Sequence, residues 1–346
     1  MPFSHHSHSG QFCGHATNTL EEVVQDAISK GMTTFCLTEH IHRDRIDFYP
    51  KEEDKHTPET LAQLYDDFYH EAQRLREAYA DKIQIFIGFE SEWIRDSSLE
   101  IVQGLLAKYD LDLFVGSVHH VHHWPIDYDT PMYHNAREVA GGSDEQLFAD
   151  YFDAQYAMLQ ALKPPVVGHF DLIRLKSDEP DGRFKLWLFV WEKILRNLKF
   201  VAEYGGVLEL NSSSLRKRMR EAYPQVEICK EFRSMGGRFT LSDDSHGIDQ
   251  VGLNYGKVLE CIKKAGIAEL CHLVPAMDGV DAHDSRFPNV AWKTVSVSEL
   301  ETHPFWKLSG QSSSPGSGVK HAADPVRSGH VPDTGLESSS LGIELA

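Results

Sequence analysis

The sequence predicts one α/β domain whose parallel strands close into a barrel. Two observations carry this reading. Short apolar runs alternate with stretches of helical period from residue 3 to about residue 242. Nearly every run ends in a histidine, glutamate, aspartate or asparagine, as strands do when their C-terminal ends build a common face. At 346 residues the chain is long enough to bury a full core.

The first nine residues read as extended, which puts His6 and His8 on one face and His5 on the other, a packing position. Thr19-Leu20-Glu21-Glu22 is a capping box that opens a helix through Ser29, and Gly31 stops it. Residues 32–37 form a buried strand running into Thr38-Glu39-His40, where Glu39 is placed to orient His40. Residues 43–57 are charged and irregular and read as a surface loop.

Pro58 starts a helix over about 59–79, with Leu61, Leu64, Phe68, Ala72 and Leu75 at three- and four-residue steps. A strand at 83–89 ends at Glu90; a helix at 99–108 precedes a strand at 111–116 that leads to His119. A polar and aromatic insertion over about 120–142 separates that strand from a helix at 144–162. The run 164–167 leads to His169, and a core-facing helix follows at about 185–204. Residues 207–210 lead to Asn211, a helix lies near 225–235, and 239–242 leads to Asp243, Asp244 and His246.

Seven strands are counted, near 3–8, 33–38, 83–89, 111–116, 165–168, 207–210 and 239–242, and an eighth is compatible with 270–274. Residues 308–346 turn to Ser, Gly and Pro with almost no aromatics, so the domain is assigned to 1–307 and the remainder to a disordered tail.

The strand ends hold the chemistry. His6, His8 and His15 precede potential ligands His40, Glu90, His119, His169, Asp244 and His246 at the same topological position in successive units. Imidazole and carboxylate together suit Zn, Mn or Fe better than the all-oxygen shells of Mg and Ca. Seven histidines and two carboxylates exceed the needs of one ion, so three divalent ions are expected, one carboxylate bridging two of them. His120, His122 and His123 read as a polar loop, and Cys13 as a small residue packed under its turn.

The balance of 34 Lys+Arg against 52 Asp+Glu leaves a net charge of −18, which argues against a nucleic-acid surface. Bound divalent ions reconcile that acidity with a small phosphorylated substrate. Five cysteines without a Cys-x-x-Cys pair suit reduced thiols. No apolar run reaches about eighteen residues and no leader pattern opens the chain, so a cytoplasmic location away from membranes is expected.

These residues also carry a resemblance. His5-His6-Ser7-His8-Ser9-Gly10, Cys36 to Ile41, Val115 to His120 with Pro125-Ile126-Asp127, Val167 to Leu172, Glu209 to Ser213 with Leu215-Arg216-Lys217, and Leu241 to Gly247 together resemble the polymerase-and-histidinol-phosphatase superfamily, in its fungal histidinol-phosphate phosphatase branch. The likeness spans about 1–307, including Pro304-Phe305-Trp306. Family members often place Asp where this chain has Ser4. The resemblance implies a distorted (β/α)7 TIM-like barrel with a trinuclear site. One ion would be held by His6, His8, Glu90 and Asp244; a second by Glu90, His119 and His169; a third by His15, His40 and His246.

It further implies hydrolysis of L-histidinol phosphate to L-histidinol and phosphate in histidine biosynthesis, by in-line attack of a hydroxide bridging the ions. The alkoxide needs an acid, for which Asp244, His42 and a metal-bound water are candidates. Arg216 is the first choice for a phosphate clamp and Arg174 the second, because a planar fork matches phosphate oxygens. Acidic and aromatic residues in 120–133 are candidates to read the substrate imidazole. The competing readings are a phosphoesterase of the same chemistry acting on nucleotides or nucleic-acid ends, and a non-catalytic metal-binding protein.

Overall fold

The computed structural model describes residues 2–276 and 284–309. The strands are β1 (Phe3–Ser4), β2 (Thr34–Leu37), β3 (Gln84–Ile87), β4 (Glu90–Glu92), β5 (Val115–Ser117), β6 (His120–Val121), β7 (Trp124–Pro125), β8 (Val166–Val167), β9 (Val207–Asn211), β10 (Arg238–Ser242), β11 (Glu269–Pro275) and β12 (Val290–Ser296). Two parallel sheets build the core, one ordered β1-β2-β3 and the other β10-β9-β8-β5-β4.

The closed ladder expected from sequence is thus drawn as two sheets, which meet along two seams. At the first, His5 N–H donates to Leu241 O at 3.0 Å, Asp244 N–H to His6 O at 3.1 Å, and Ser7 bridges Ser245. At the second, β3 runs through Gly88 and Phe89 into β4, and His40 bridges Glu90. The seven strands read from the sequence are present, and β11 stands at the eighth position; β4, β6, β7 and β12 were not read, and β11 pairs antiparallel with β12 in a sheet of their own. The observed strands are shorter than their apolar runs. Residues 5–8 and 111–114 are buried, yet they bond to neighbouring loops and strand ends rather than extending a ladder.

Helices cover the sheets as their periodicity requires. The helix Leu20–Ser29 is capped by Thr19 and Glu22 in a complete capping box and buries Leu20, Val23, Val24 and Ala27. Pro58–Ala78 begins with Pro at its first turn, and Asp144–Leu162 is capped by Ser143. The helix expected at 185–204 begins at Leu188, after a 3-10 turn at Phe184–Leu186. It buries Val190, Ile194, Leu198 and Val201, but Leu186, Leu188 and Phe189 at its start are exposed, so only its later turns face the core. The insertion contains the β6–β7 hairpin and a helix, Thr130–Val139. A last helix spans Pro304–Ser309, and the tail expected from residue 308 lies, beyond Ser309, outside the described residues. No helix among the described residues is long and apolar enough to cross a membrane.

Candidate metal centre

Glu90 is the hub. It opens β4 and is 2 % exposed. Its Oε2 lies 3.2 Å from His6 Nε2, 3.4 Å from His8 Nε2 and 3.0 Å from His40 Nδ1, while Oε1 lies 3.3 Å from His119 Nε2 and 2.9 Å from His169 Nε2. His6 and His8 approach each other at 3.0 Å between Nε2 atoms, as their shared strand face requires. Asp244 Oδ1 stands 3.9 Å from His6 Nε2, 3.7 Å from His8 Nε2 and 3.6 Å from His246 Nδ1. His15 reaches in from an exposed turn, its Nε2 3.1 Å from His246 Nε2.

Local backbone explains the placement. Asp244, two residues after β10, adopts a left-handed φ of 48° while its amide stays on His6 O. Gly10 lets the turn bearing His15 close on itself, since a Cβ there would come 2.6 Å from the Cα of Thr17. Thr17 N–H then donates to His246 O at 2.8 Å, joining that turn to the last motif. Gly168, before His169, leaves no room for a side chain beside Ser117 Oγ.

A second ring of carboxylates fixes the imidazoles. Glu209 Oε2 lies 3.1 Å from His6 Nδ1, and its Oε1 accepts from His169 N–H at 2.6 Å and Asn211 Nδ2 at 2.7 Å. Glu39 Oε1 lies 3.0 Å from His8 Nδ1. Glu39 therefore orients His8, and meets His40 only through its main-chain N–H at 3.2 Å. His246 Nδ1 lies 3.0 Å from Asp244 O. Each contact holds a ring so that its other nitrogen faces the cluster. Glu209 went unremarked as a site residue, although it is the one charged residue in the apolar run of β9, a pattern that itself flags a buried partner.

Electrostatics favour cations here. Burial pushes the carboxyl of Glu90 up, but His6, His119 and His40 outweigh it and hold Glu90 well below the usual carboxylate range. Burial likewise opposes charge on His6, yet Glu90, Glu209 and Asp244 raise it well above an ordinary imidazole. Burial and the neighbouring imidazoles lower His15 to about 4 and lower His40 and His246 as well. The donor set passes a direct test of fit to divalent metal: His6, His8 and Glu90, then Glu90, His119 and His169, then Cys13, His15, His40 and His246 each bring their ligand atoms within 4.8 Å, and His40 Nε2 is buried without a partner.

The cluster floors a cavity of about 810 Å³ lined by Arg216, Lys217, Asp127 and Tyr128 among others. The stretch 43–57, expected as a surface loop, forms one wall: Arg43 Nε donates to Glu92 at 2.7 Å and its Nη1 to Glu52 at 2.7 Å, and Tyr49 OH donates to Glu92 at 2.7 Å. Asp127 Oδ1 is buried and unpartnered.

Three expected residues behave differently. His42 is outside the cavity lining; β2 ends at Leu37 as expected, and His42 sits among Asp44, Lys108 and Arg43. It is not placed to protonate a leaving group in the cavity. Arg174 is 1 % exposed and spends its guanidinium on Asp171 at 3.0 Å and on the carbonyls of Pro180, Glu221 and Ala222, with Tyr223 beneath it, so it is a structural cation rather than a phosphate contact. Arg216 does face the cavity, but its Nη1 and Nη2 already donate to Asp243 O at 2.9 Å and Asp244 O at 2.6 Å, fixing the loop that carries Asp244.

Of the bystander histidines, His5 is buried between Thr240 Oγ1 at 2.8 Å and Leu273 N–H at 3.1 Å, and His122 pairs with Asp150 at 2.7 Å. His120 is also buried, 3.3 Å from Glu92. Ser4, at the place where the resembling family often has Asp, accepts from Asp243 N–H at 3.1 Å.

Comparison with known proteins agrees with this geometry. The PHP domain profile matches residues 4–213. A probable histidinol-phosphatase of Schizosaccharomyces pombe is 48 % identical over 281 residues, covering 81 % of this chain and 92 % of that protein. The histidinol-phosphatase of Saccharomyces cerevisiae is 34 % identical over 339 residues, covering 88 % and 98 %. In fold, the chain is similar to a histidinol phosphate phosphatase of Lactococcus lactis solved with zinc, L-histidinol and phosphate, with a TM-score of 0.60 and 22 % identity over 78 % of this chain and 95 % of that one. The chain belongs to the PHP domain family.

Proposed function

We propose that this chain is a metal-dependent phosphomonoesterase that hydrolyses L-histidinol phosphate to L-histidinol and phosphate. The observation that carries the reading is the Glu90 carboxylate, touched by five imidazoles within 3.4 Å at the floor of an open cavity. The two fungal relatives named histidinol-phosphatase, aligned over most of their lengths, support the substrate.

Three divalent ions fit the donors: His6, His8, Glu90 and Asp244 for the first, Glu90, His119 and His169 for the second, and His15, His40 and His246 for the third. Zinc, manganese and iron all accept such ligands. When bound, the ions neutralise phosphoryl charge and activate water for attack.

The chain's own residues do the rest. Arg216 anchors the Asp244 loop and, with Lys217, lines the cavity with the positive charge that a phosphate needs. Asp244 stays ionised although buried, because His6, His246 and Arg216 outweigh desolvation, and it is the candidate to relay the proton shed by the attacking water to the departing alkoxide through the carboxylate oxygen an ion would leave free. The free Oδ1 of Asp127, beside Tyr128, suits the cationic ammonium or imidazole end of the substrate.

The test is phosphate release by the purified enzyme and by His119→Ala. The variant should lose turnover while keeping its fold; near wild-type activity would refute the site.

A further inference from the structure

The three groups of ligands are not chemically alike. The first two offer only nitrogen and oxygen, whereas the group around His15 also contains sulfur. Cys13 is 5 % exposed, in the same turn as His15, and its Sγ faces the cavity. Sγ lies 3.3 Å from His15 Nδ1 and 3.4 Å from His15 Nε2, and His15 Nε2 lies 3.1 Å from His246 Nε2. A nitrogen of His40 completes a set of four donor atoms within 4.8 Å of one another.

Two of these spacings, His15 Nε2 to Cys13 Sγ and to His246 Nε2, are close to the edges of a coordination tetrahedron. With Zn–S of about 2.3 Å and Zn–N of about 2.0–2.1 Å, a tetrahedral ion separates sulfur from nitrogen by about 3.5 Å and nitrogen from nitrogen by about 3.3 Å. Independent features point the same way. His40 Nε2 is buried without a partner, and His246 Nδ1 is committed to Asp244 O, which leaves Nε2 of His246 for the ion.

We propose that Cys13 is a thiolate ligand of the third ion, completing a Cys-His-His-His shell with His15, His40 and His246. The assignment rests on the metal-centre reading above and extends it. It makes this position softer than the other two, so it selects zinc or cobalt over manganese, while the nitrogen and oxygen positions stay permissive. A protein loaded with mixed metals would then concentrate zinc here.

The test uses the intact chain, stripped of metal and reloaded with cobalt or zinc. Cobalt-loaded wild type should show a near-ultraviolet sulfur-to-cobalt charge-transfer band together with visible ligand-field bands. Cys13→Ser and Cys13→Ala should lose the first and keep the second, and their tightest zinc should weaken by about tenfold or more. Zinc X-ray absorption of the wild type, which needs no variant to fold, should show a sulfur scatterer at about 2.3 Å. Visible bands without the charge-transfer band, a band that survives in Cys13→Ala, or a zinc shell lacking sulfur would overturn the cysteine assignment and leave the phosphatase reading standing. Failure to bind cobalt at all would overturn both.

Discussion

Glu90 Oε1 and His169 Nε2 lie 2.9 Å apart, and that contact ties the start of β4 to the loop after β8. The other oxygen of the same carboxylate serves His6, His8 and His40, so Glu90 spans two groups of imidazoles. Glu90→Gln keeps the shape but removes the charge. It should lose more than the roughly 10–100-fold in activity typical of outer partners, and should bind fewer metal equivalents by elemental analysis. Full stoichiometry in the variant would show that Glu90 bridges nothing.

Glu209 acts one step further out, holding His6 Nδ1 and the His169 amide. Glu209→Gln should cost about 10–100-fold in metal affinity, read by competition with a chromogenic chelator, and excess metal should restore much of the turnover. Loss of turnover with unchanged affinity would instead make Glu209 part of the chemistry.

Arg174 separates a structural cation from a substrate contact. Removing it strands Asp171, fully buried and 3.0 Å away, so Arg174→Ala should lower the unfolding free energy by about 3–5 kcal/mol, measured by urea titration. In the fraction that folds, KM should stay near wild type. A raised KM at unchanged stability would return Arg174 to the phosphate site.

These cases mark what was legible in the chain. The capping box at Thr19 and Glu22 and the helix Asp144–Leu162 depend on local chemistry, and they stand where periodicity and capping put them. The convergence of His6, Glu90, His119, His169 and Asp244 was legible because each follows a strand. His42 and Arg174 lie apart from the ligand cluster, because residue type and proximity in sequence say nothing about which way a chain turns after its strand ends. The 43–57 wall of the cavity depends on contacts between distant segments, such as Arg43 with Glu92, and no local signal encodes those.

His5 gives a pH signature distinct from the ligands. Burial, and after it the charge of His272, lowers its pKa from 6.5 to about 3. The folded value lies below the unfolded one, so the neutral ring contributes stability above about pH 6.5 that is lost as pH falls toward 3. In metal-free protein, His5→Gln should flatten the fall of the thermal midpoint between about pH 6.5 and pH 4. An unchanged slope would show that His5 does not control acid sensitivity.

The most direct measurement of the central claim is phosphate release by chelator-stripped and metal-reloaded enzyme, from L-histidinol phosphate, a generic aryl phosphate and a nucleotide in parallel. The account predicts no turnover without metal, recovery on adding zinc or manganese, and a kcat/KM for histidinol phosphate at least about tenfold above the others, a preference of about 1.4 kcal/mol. Metal-independent turnover, or equal rates on all three substrates, would contradict it.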